Sequence, residues 1–394
     1  MNNKQQSPLL TRGLILLLAI TCGVVVANMY YVQPIGTEVA ETFGVTTSSI
    51  GLVTMLTQLG YALGLLLLVP LGDVVDRRKL IVRMSALSAL SLLAAFFAPE
   101  FHLFALASFL IGLLSIVPQV IIPYGAVLAG PSKRGVVMGQ LLSGLLIGIL
   151  LSRTFSGIIA SVISWRYVYL IAVGLIIVLT FFLQKNMPKN TLPKQANFSY
   201  IDSLKSIPKL IQQQKTLREA ATNGFLMFGT FSIFWSTLIF YISSPVYNWG
   251  TFEAGILAIF GLSGALAAPL VGRLADNYSE RKIILMGLVM QTISFVLLMI
   301  GGGHLVVLIL AIILLDVGNQ FGQVTNQTRV QNLGEKASNR NNTVFMFMYF
   351  IGGALGSLVG STMWQQHGWL GVVLAGLSFQ LVAYIFHVIV YKEK

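Results

Sequence analysis

Twelve long apolar runs, separated by short polar segments, dominate the pattern of this sequence. The runs cover residues 13–33, 49–70, 80–98, 102–124, 136–158, 167–184, 220–242, 252–271, 283–300, 304–327, 342–363 and 369–391. A helix crosses the hydrocarbon core of a bilayer, about 30 Å thick, with about 20 apolar residues that each rise about 1.5 Å. The pattern therefore predicts an all-α integral membrane protein with twelve transmembrane helices.

A longer polar stretch after the sixth run divides the twelve into two groups. We expect an N-terminal six-helix bundle in residues 1–184, a cytoplasmic linker in 185–218 and a C-terminal six-helix bundle in 219–394. Within the linker, residues 200–211 space their apolar side chains at intervals of three and four, which favours a short amphipathic helix on the inner membrane surface. A plain solvated linker is the alternative.

The composition supports a membrane protein and excludes a large soluble one. Only 10% of the 394 residues are charged, whereas soluble proteins have about 25%. Hydrophobic residues make up 56% of the chain, and its mean hydropathy is +0.81. The net charge of +12 does not indicate nucleic-acid binding, because the basic residues lie in short clusters between apolar runs.

The basic clusters also predict the orientation. They occupy both tails and every second connection, and of 25 Lys and Arg only Arg153 and Arg166 fall toward the other side. Cytoplasmic loops of membrane proteins are enriched in Lys and Arg. We therefore expect both termini in the cytoplasm, which agrees with an even number of crossings.

An internal repeat relates the two halves. The segment Gly72-Asp73-Val74-Val75-Asp76-Arg77-Arg78-Lys79 follows the second run, and Gly272-Arg273-Leu274-Ala275-Asp276 follows the eighth. Gly72 and Gly272 are 200 positions apart, and so are Asp76 and Asp276. Repeats that keep one orientation are typical of a large class of transporters.

The sequence contains none of the common enzyme motifs. HExxH, the Walker loop and GxSxG are absent, the single cysteine Cys22 lies inside an apolar run, and the four histidines are dispersed. We therefore expect no enzyme, no cofactor and no metal site.

Asp316 is the clearest candidate for chemistry. It lies 12 residues after His304, about 18 Å into the membrane, where an ionisable group is costly and usually functional. Asn319, Gln320, Gln323, Asn326 and Gln327 continue from it along one helical face. This stripe predicts the lining of a wet cavity, with hydrogen bonding between helices as the alternative.

Other polar or aromatic side chains within the apolar runs are candidates for solute contact. They are Asn28, Tyr31, Gln58, Gln119, Thr230 and Trp235, and for each of them packing is the alternative. Arg153 lies 17 residues after Val136, about 26 Å along its helix and close to the outer interface. It either snorkels to the headgroups or has a function.

The segment from Gly72 to Lys79, with its copy at Gly272, resembles the signature loop of the major facilitator superfamily. The segments 28–34, 315–318 with 325–327, and 143–157 with 165–166 resemble its arabinose-efflux and drug:proton antiporter branch. The resemblance covers essentially the whole chain. It implies two bundles that rock around a central cavity, and a cytoplasmic gate formed by Gly72, Asp73, Asp76, Arg77, Arg78 and Asp276. The first loop lacks the glycine that usually follows its arginine, and the second copy is looser.

From these features we expect proton-coupled efflux by antiport of a small organic solute, such as a sugar or drug, through alternating access. Asp316 exchanges the proton, and Asn319, Gln320 and Gln323 contact the solute with the candidates above. The expected partners are the solute, protons and the lipid bilayer, with no nucleic acid, for a monomer that crosses the bacterial cytoplasmic membrane many times. The alternatives are a uniporter or importer, and a membrane sensor without transport.

Overall fold

A computed structural model describes residues 10–130, 133–188, 200–274, 277–333 and 338–390. Within them, every regular element is a helix. The helices are α1 (Arg12–Ala27), α2 (Gly36–Phe43), α3 (Thr47–Leu67), α4 (Arg77–Phe97), α5 (Phe101–Leu114), α6 (Val117–Ala129), α7 (Arg134–Val162), α8 (Trp165–Asn186), α9 (Tyr200–Gln213), α10 (Lys215–Trp235), α11 (Leu238–Ile242), α12 (Thr251–Phe260), α13 (Leu262–Leu274), α14 (Glu280–Gly301), α15 (Leu305–Gln331) and α16 (Ser338–Val390). We call α1–α8 the first half and α10–α16 the second half.

Ten helical segments of the described chain are long and apolar enough to cross a membrane, judged by length and composition. They are Thr47–Gly72, Arg77–Phe97, Phe101–Ala129, Arg134–Val162, Trp165–Asn186, Lys215–Ile242, Thr251–Leu274, Glu280–Gly301, Leu305–Gln331 and Arg340–Ile389. The first predicted run contains α1, an apolar helix of 16 residues. The last two fall together in α16, whose 53 residues are interrupted at Gly368, where φ is +60°.

Proline and short connections bend several of these segments. The boundary between α5 and α6 lies just before Pro118, which stands in the first turn of α6. Proline is tolerated there because the first amides of a helix have no partner within the helix. The break between α5 and α6 therefore coincides with Pro118.

Glycine allows α1 and α7 to pack backbone against backbone. A Cβ atom placed on Gly148 would collide with the backbone of Gly23, and one on Gly144 would collide with the backbone of Ala19. Small residues permit this close approach and the van der Waals contact that comes with it. Such contact matters in a membrane because lipid provides no hydrophobic driving force for helices to associate. The sulfur-bearing Cys22 next to this contact is fully buried.

The linker contains the predicted helix, α9. Its Ile207 is buried, with 8% of its surface exposed. The hydroxyl of Tyr200 donates to the carbonyl oxygen of Leu67 at the end of α3, at 2.8 Å. Arg340 of α16 donates to Ser206 at 2.7 Å, so α9 has contacts with both halves.

Candidate functional site

A cavity of about 100 Å³ lies between the two halves. We call it the central cavity. Residues of α1, α3, α6 and α7 meet residues of α10, α13, α15 and α16 around it. Its lining consists of Val26, Tyr30, Tyr61, Gln119, Leu145, Leu146, Ile149, Leu150, Arg153, Phe228, Phe231, Gly261, Gly264, Ala265, Asp316, Asn319, Gln320, Gln323, Met346, Tyr349 and Phe350.

Asp316 is the carboxylate of this cavity. It lies in the middle of α15, is 6% exposed, and accepts a hydrogen bond at 3.2 Å from the indole nitrogen of Trp235. A Cβ atom on Gly264 would meet the backbone of Asp316, so the glycine lets α13 pack closely against α15 at this point. Asp316 and Trp235, which were both predicted from the sequence, therefore contact each other directly.

Of the polar stripe that follows Asp316, Asn319, Gln320 and Gln323 face the same space, whereas Asn326 and Gln327 do not line it. The amide of Asn319 donates to the hydroxyl of Tyr349 at 2.9 Å, and that hydroxyl donates to Gln323 at 3.1 Å. Gln320 lines the cavity beside them. The chain of donors and acceptors extends over a turn of α15, so this wall of the cavity presents a continuous row of hydrogen-bonding groups.

Arg153 lies inside the molecule, not at the headgroups. It is 1% exposed, its Nε donates to Gln33 at 2.6 Å, and its guanidinium carbon lies 4.3 Å from the ring centre of Trp235. The predicted helix ended at residue 158, whereas α7 continues to Val162. Arg153 is therefore nine residues, about 14 Å, from the end of its helix, and its burial within the protein rules out a side chain that extends to the headgroups.

Arg153 and Asp316 come from opposite halves and meet at Trp235. The arginine stacks over the indole ring, and the aspartate accepts the indole N–H. The two charges attract each other across the cavity. Hydropathy alone could not reveal this arrangement, because residues 153, 235 and 316 are far apart in the chain. Aromatic residues of the wall such as Tyr30, Phe228 and Tyr349 were missed for the same reason.

Gln119 is the candidate shared by two cavities. It lines the central cavity and donates to the hydroxyl of Tyr61 at 3.0 Å. It also lines a larger space of about 560 Å³ between the halves, next to Gly72 and Arg77. The rim of that space includes Arg134 and Gln331, which are exposed, so it opens at the surface. We call this end of the molecule the Gly72 end.

Four other candidates lie outside the central cavity. Asn28 donates to Ser88 at 3.4 Å, Gln58 donates to Ser357 at 3.2 Å, Thr230 accepts from Gln380 at 3.0 Å, and Tyr31 packs against Phe155 with ring centres 6.0 Å apart. The contact of Gln58 joins the two halves, whereas the other three contacts lie within one half. In this conformation these four residues have packing roles, and their contact with solute stays a prediction.

The residues predicted to form a gate make contacts within the first half. Nε of Arg77 donates to the carbonyl oxygen of Gly72 at 2.8 Å, Asp76 caps α4 by accepting from the amide of Lys79 at 3.1 Å, and Arg78 donates to the carbonyl oxygen of Gln184. The side chain of Asp73 and the whole of Asp276 lie outside the described residues. Because the Gly72 end is open here, this conformation does not test a latch that forms when that end closes.

At the opposite end, which we call the Glu38 end, the halves are in direct contact. The hydroxyl of Thr251 donates to Glu38 at 2.9 Å, and that of Thr154 donates to the carbonyl oxygen of Gly255 at 2.8 Å. Glu38 belongs to α2, outside the candidate spans, and partial burial raises the pKa of its carboxyl group, opposed by the hydrogen bond from Thr251. The contacts seal the cavity at this end.

Metal binding finds no support in the described residues, where no three His, Cys, Asp or Glu side chains are grouped as a metal site would need. A bundle of apolar helices surrounds a polar cavity that is sealed at one end and meets an open vestibule at the other. This arrangement is that of a membrane transporter.

The chain belongs to the major facilitator superfamily. Residues 17–357 and 221–394 match the family described as Major Facilitator Superfamily. YgaY of Escherichia coli K12, a protein named as an uncharacterized transporter, is 38% identical over 95% of this chain and 94% of its own length. A protein named as a transporter in Streptomyces coelicolor, SCO4007, is 28% identical over 90% of this chain and 82% of its own.

Solved structures share the fold. The nucleoside transporter NupG superposes with a TM-score of 0.74 at 18% identity, covering 96% of this chain and 99% of NupG. A bacterial homologue of the human lysosomal transporter Spinster, in an inward-facing and occupied conformation, gives 0.76 at 13% identity, covering 96% of each chain. The protein is thus a multi-pass membrane transporter of the major facilitator type. At these identities the structural likeness concerns the fold alone.

Proposed function

We propose that this transporter exports a small organic solute in exchange for protons, and that Asp316 carries the proton. The supporting observation is a carboxylate buried in the cavity between the halves, with no Lys or Arg at ion-pair distance among the described residues. A carboxylate in such a place is costly to ionise, so proton binding there is readily coupled to a second ligand.

Solute export is coupled to proton movement because the solute and the proton compete for Asp316. Deprotonated Asp316 accepts hydrogen bonds from the solute, and a proton that arrives from outside removes that acceptor and releases the solute. The polar row of Asn319, Gln320 and Gln323 holds the solute during the exchange, next to Gln119. Trp235 remains as a fixed donor that orients the carboxylate.

The described conformation supplies one side of an alternating-access cycle. The proposal takes the open Gly72 end as cytoplasmic, since the basic clusters lie there. Twelve crossings follow if α1 is one span and the break at Gly368 divides α16 into two. The protein would then have both termini in the cytoplasm and act as a monomer in the bacterial cytoplasmic membrane.

The test is solute flux in proteoliposomes with an imposed pH gradient, with a solute found by thermal-shift screening of sugars, drugs and metabolites. We expect a gradient that is acidic outside to drive export, and Asp316→Asn to lower gradient-driven export at least tenfold while solute exchange without a gradient persists. Glu41→Gln, an exposed carboxylate on α2, is the matched control and keeps full activity.

Three outcomes contradict the proposal. Equal flux with and without the gradient identifies a uniporter, and binding without flux identifies a sensor. If Asp316→Asn leaves gradient-driven export unchanged, the proton is carried elsewhere.

A further inference from the structure

The guanidinium group of Arg153 is held at one nitrogen and open at the other two. Its Nε donates to Gln33, but within the described part of the chain Nη1 and Nη2 have no hydrogen-bond partner, although the residue is 1% exposed. Buried charged donors are normally satisfied, because leaving them without partners is costly. A fork of two free N–H groups matches the geometry of a carboxylate or another planar anion.

The open nitrogens belong to a side chain that lines the cavity. Arg153 contributes to the central cavity and to a small adjoining pocket formed with Gln33 and Trp235. Its charge is flanked by aromatic faces, with the guanidinium carbon 4.3 Å from the ring centre of Trp235 and 4.9 Å from that of Tyr30. Gln33 and these rings fix the direction of the fork before any ligand arrives.

Asp316 provides the opposite charge at the edge of the Trp235 ring, where it accepts the indole N–H. The titratable or charged groups that face it are Arg153 from α7, Tyr349 from α16 and Tyr30 beyond the end of α1. Stacked rings of Phe228 and Tyr349, 4.0 Å apart, form the apolar wall between the polar groups. The cavity thus presents an anion site, a cation site and an aromatic surface in one space.

We propose that the transported solute is a small zwitterion with an apolar or aromatic body, whose anionic group binds Arg153 and whose ammonium group binds Asp316. The proposal rests on the proton exchange proposed above. A purely anionic solute would bind together with the proton, because protonation of Asp316 removes the charge that competes for Arg153. An ammonium group instead competes with the proton for Asp316, as exchange requires.

Three probes that share one ring separate the two charges: L-phenylalanine, 3-phenylpropionate and phenethylamine. Binding to the detergent-solubilised full chain is measured by equilibrium dialysis at neutral pH. We expect L-phenylalanine to bind at least tenfold more tightly than either singly charged probe. Arg153→Gln should weaken the binding of L-phenylalanine at least tenfold and change that of phenethylamine by less than about twofold. Asp316→Asn should instead remove the contribution of the ammonium group, so that L-phenylalanine binds no more tightly than 3-phenylpropionate.

Two further variants sharpen the test. Arg153→Lys keeps a positive charge without the fork and should retain part of the affinity. Arg166 stacks on Trp165, with its guanidinium carbon 4.6 Å from a ring centre, but does not line the cavity, so Arg166→Gln should bind all three probes normally. Retained phenethylamine binding shows that Arg153→Gln is folded.

The inference fails if none of the probes binds, if L-phenylalanine binds no better than phenethylamine, or if Arg153→Gln weakens all three equally, as a purely structural arginine would. Its failure differs from that of the proposed function. Gradient-driven export of a neutral or singly charged solute would contradict the proposal that the solute is a zwitterion, but it would agree with the proposed exchange for protons. Selective binding of L-phenylalanine without gradient-driven flux would contradict the proposed exchange for protons, but it would agree with a binding site that carries two opposite charges.

Discussion

At the scale of single residues, Arg329 organises the ends of three helices. Near the end of α15 it forms ion pairs with Glu219 of α10 at 3.0 Å and Glu280 of α14 at 2.8 Å, and it donates to Asn326 at 3.2 Å. The side chains of Arg329 and Glu219 are 5% and 12% exposed, so water screens this pair less than at an open surface, whereas Glu280 is 53% exposed. The cluster holds the second half together next to the vestibule.

Removing this arginine should destabilise the protein. Arg329→Gln leaves the carboxylate of Glu219, which is only 12% exposed, without this buried cation, and loss of one partner of a buried pair costs about 3 kcal/mol. Lys215→Gln is the control, because that lysine is 75% exposed and lies 3.6 Å from Glu219, where a surface pair contributes roughly 0–1 kcal/mol. Chemical unfolding in detergent compares the two, and equal losses would contradict the role of burial.

Glu38 should make the sealed end sensitive to pH. Burial raises the pKa of Glu38 above its ordinary value, so the sealed form binds the proton more tightly than a form with Glu38 exposed. Its contribution to stability is therefore present at low pH and is lost as the pH rises through the raised pKa.

Glu38→Gln keeps the acceptor for Thr251 and removes the charge. It should be more stable than the wild type by roughly 1–2 °C at pH 7, a small effect because Glu38 is half exposed. The difference in melting temperature should vanish toward pH 4.5. A difference that is constant across this range would contradict the prediction.

At the scale of helices, the contact between α1 and α7 depends on the absence of side chains. Gly148→Leu would drive its side chain into the backbone of Gly23, so we expect the helices to separate and the folded yield to drop severalfold. Gly139→Leu lies on the same helix with open space around its Cβ position and should be tolerated. Size-exclusion profiles of detergent-extracted protein compare the two, and equal yields would show that the close approach is dispensable.

The helices themselves were largely predictable, because length and hydropathy carry the signal of a membrane crossing. The polar stripe after Asp316 was also predictable, since its members share one helical face whatever surrounds them. The buried position of Arg153 was not predictable, because only its contacts with Gln33 and Trp235 show that its side chain turns into the protein. Asn28 and Thr230 show the other limit: a polar residue at membrane depth can form its hydrogen bond within one half, away from the cavity, and only the packing of the helices shows which residues do so.

At the scale of the whole molecule, the two ends differ in accessibility. Gln331 on the rim of the vestibule is exposed, whereas Ser357 at the contact between the halves is fully buried. Gln331→Cys should therefore react with a water-soluble maleimide at least tenfold faster than Ser357→Cys. The parent protein is the blank, since Cys22 is fully buried. Faster reaction at position 357 would show that the halves separate at the contact between Gln58 and Ser357 in solution.

The buried cation of Arg153 also has an electrical consequence. When Asp316 is protonated, the pair carries one net positive charge, and when a zwitterion lies between deprotonated Asp316 and Arg153, the sum is zero. Each exchange cycle would then move one charge across the bilayer, for which a potential of 100 mV supplies about 2.3 kcal/mol. A potassium diffusion potential set by valinomycin, negative at the face where protons leave, should therefore accelerate export even with equal pH on both sides.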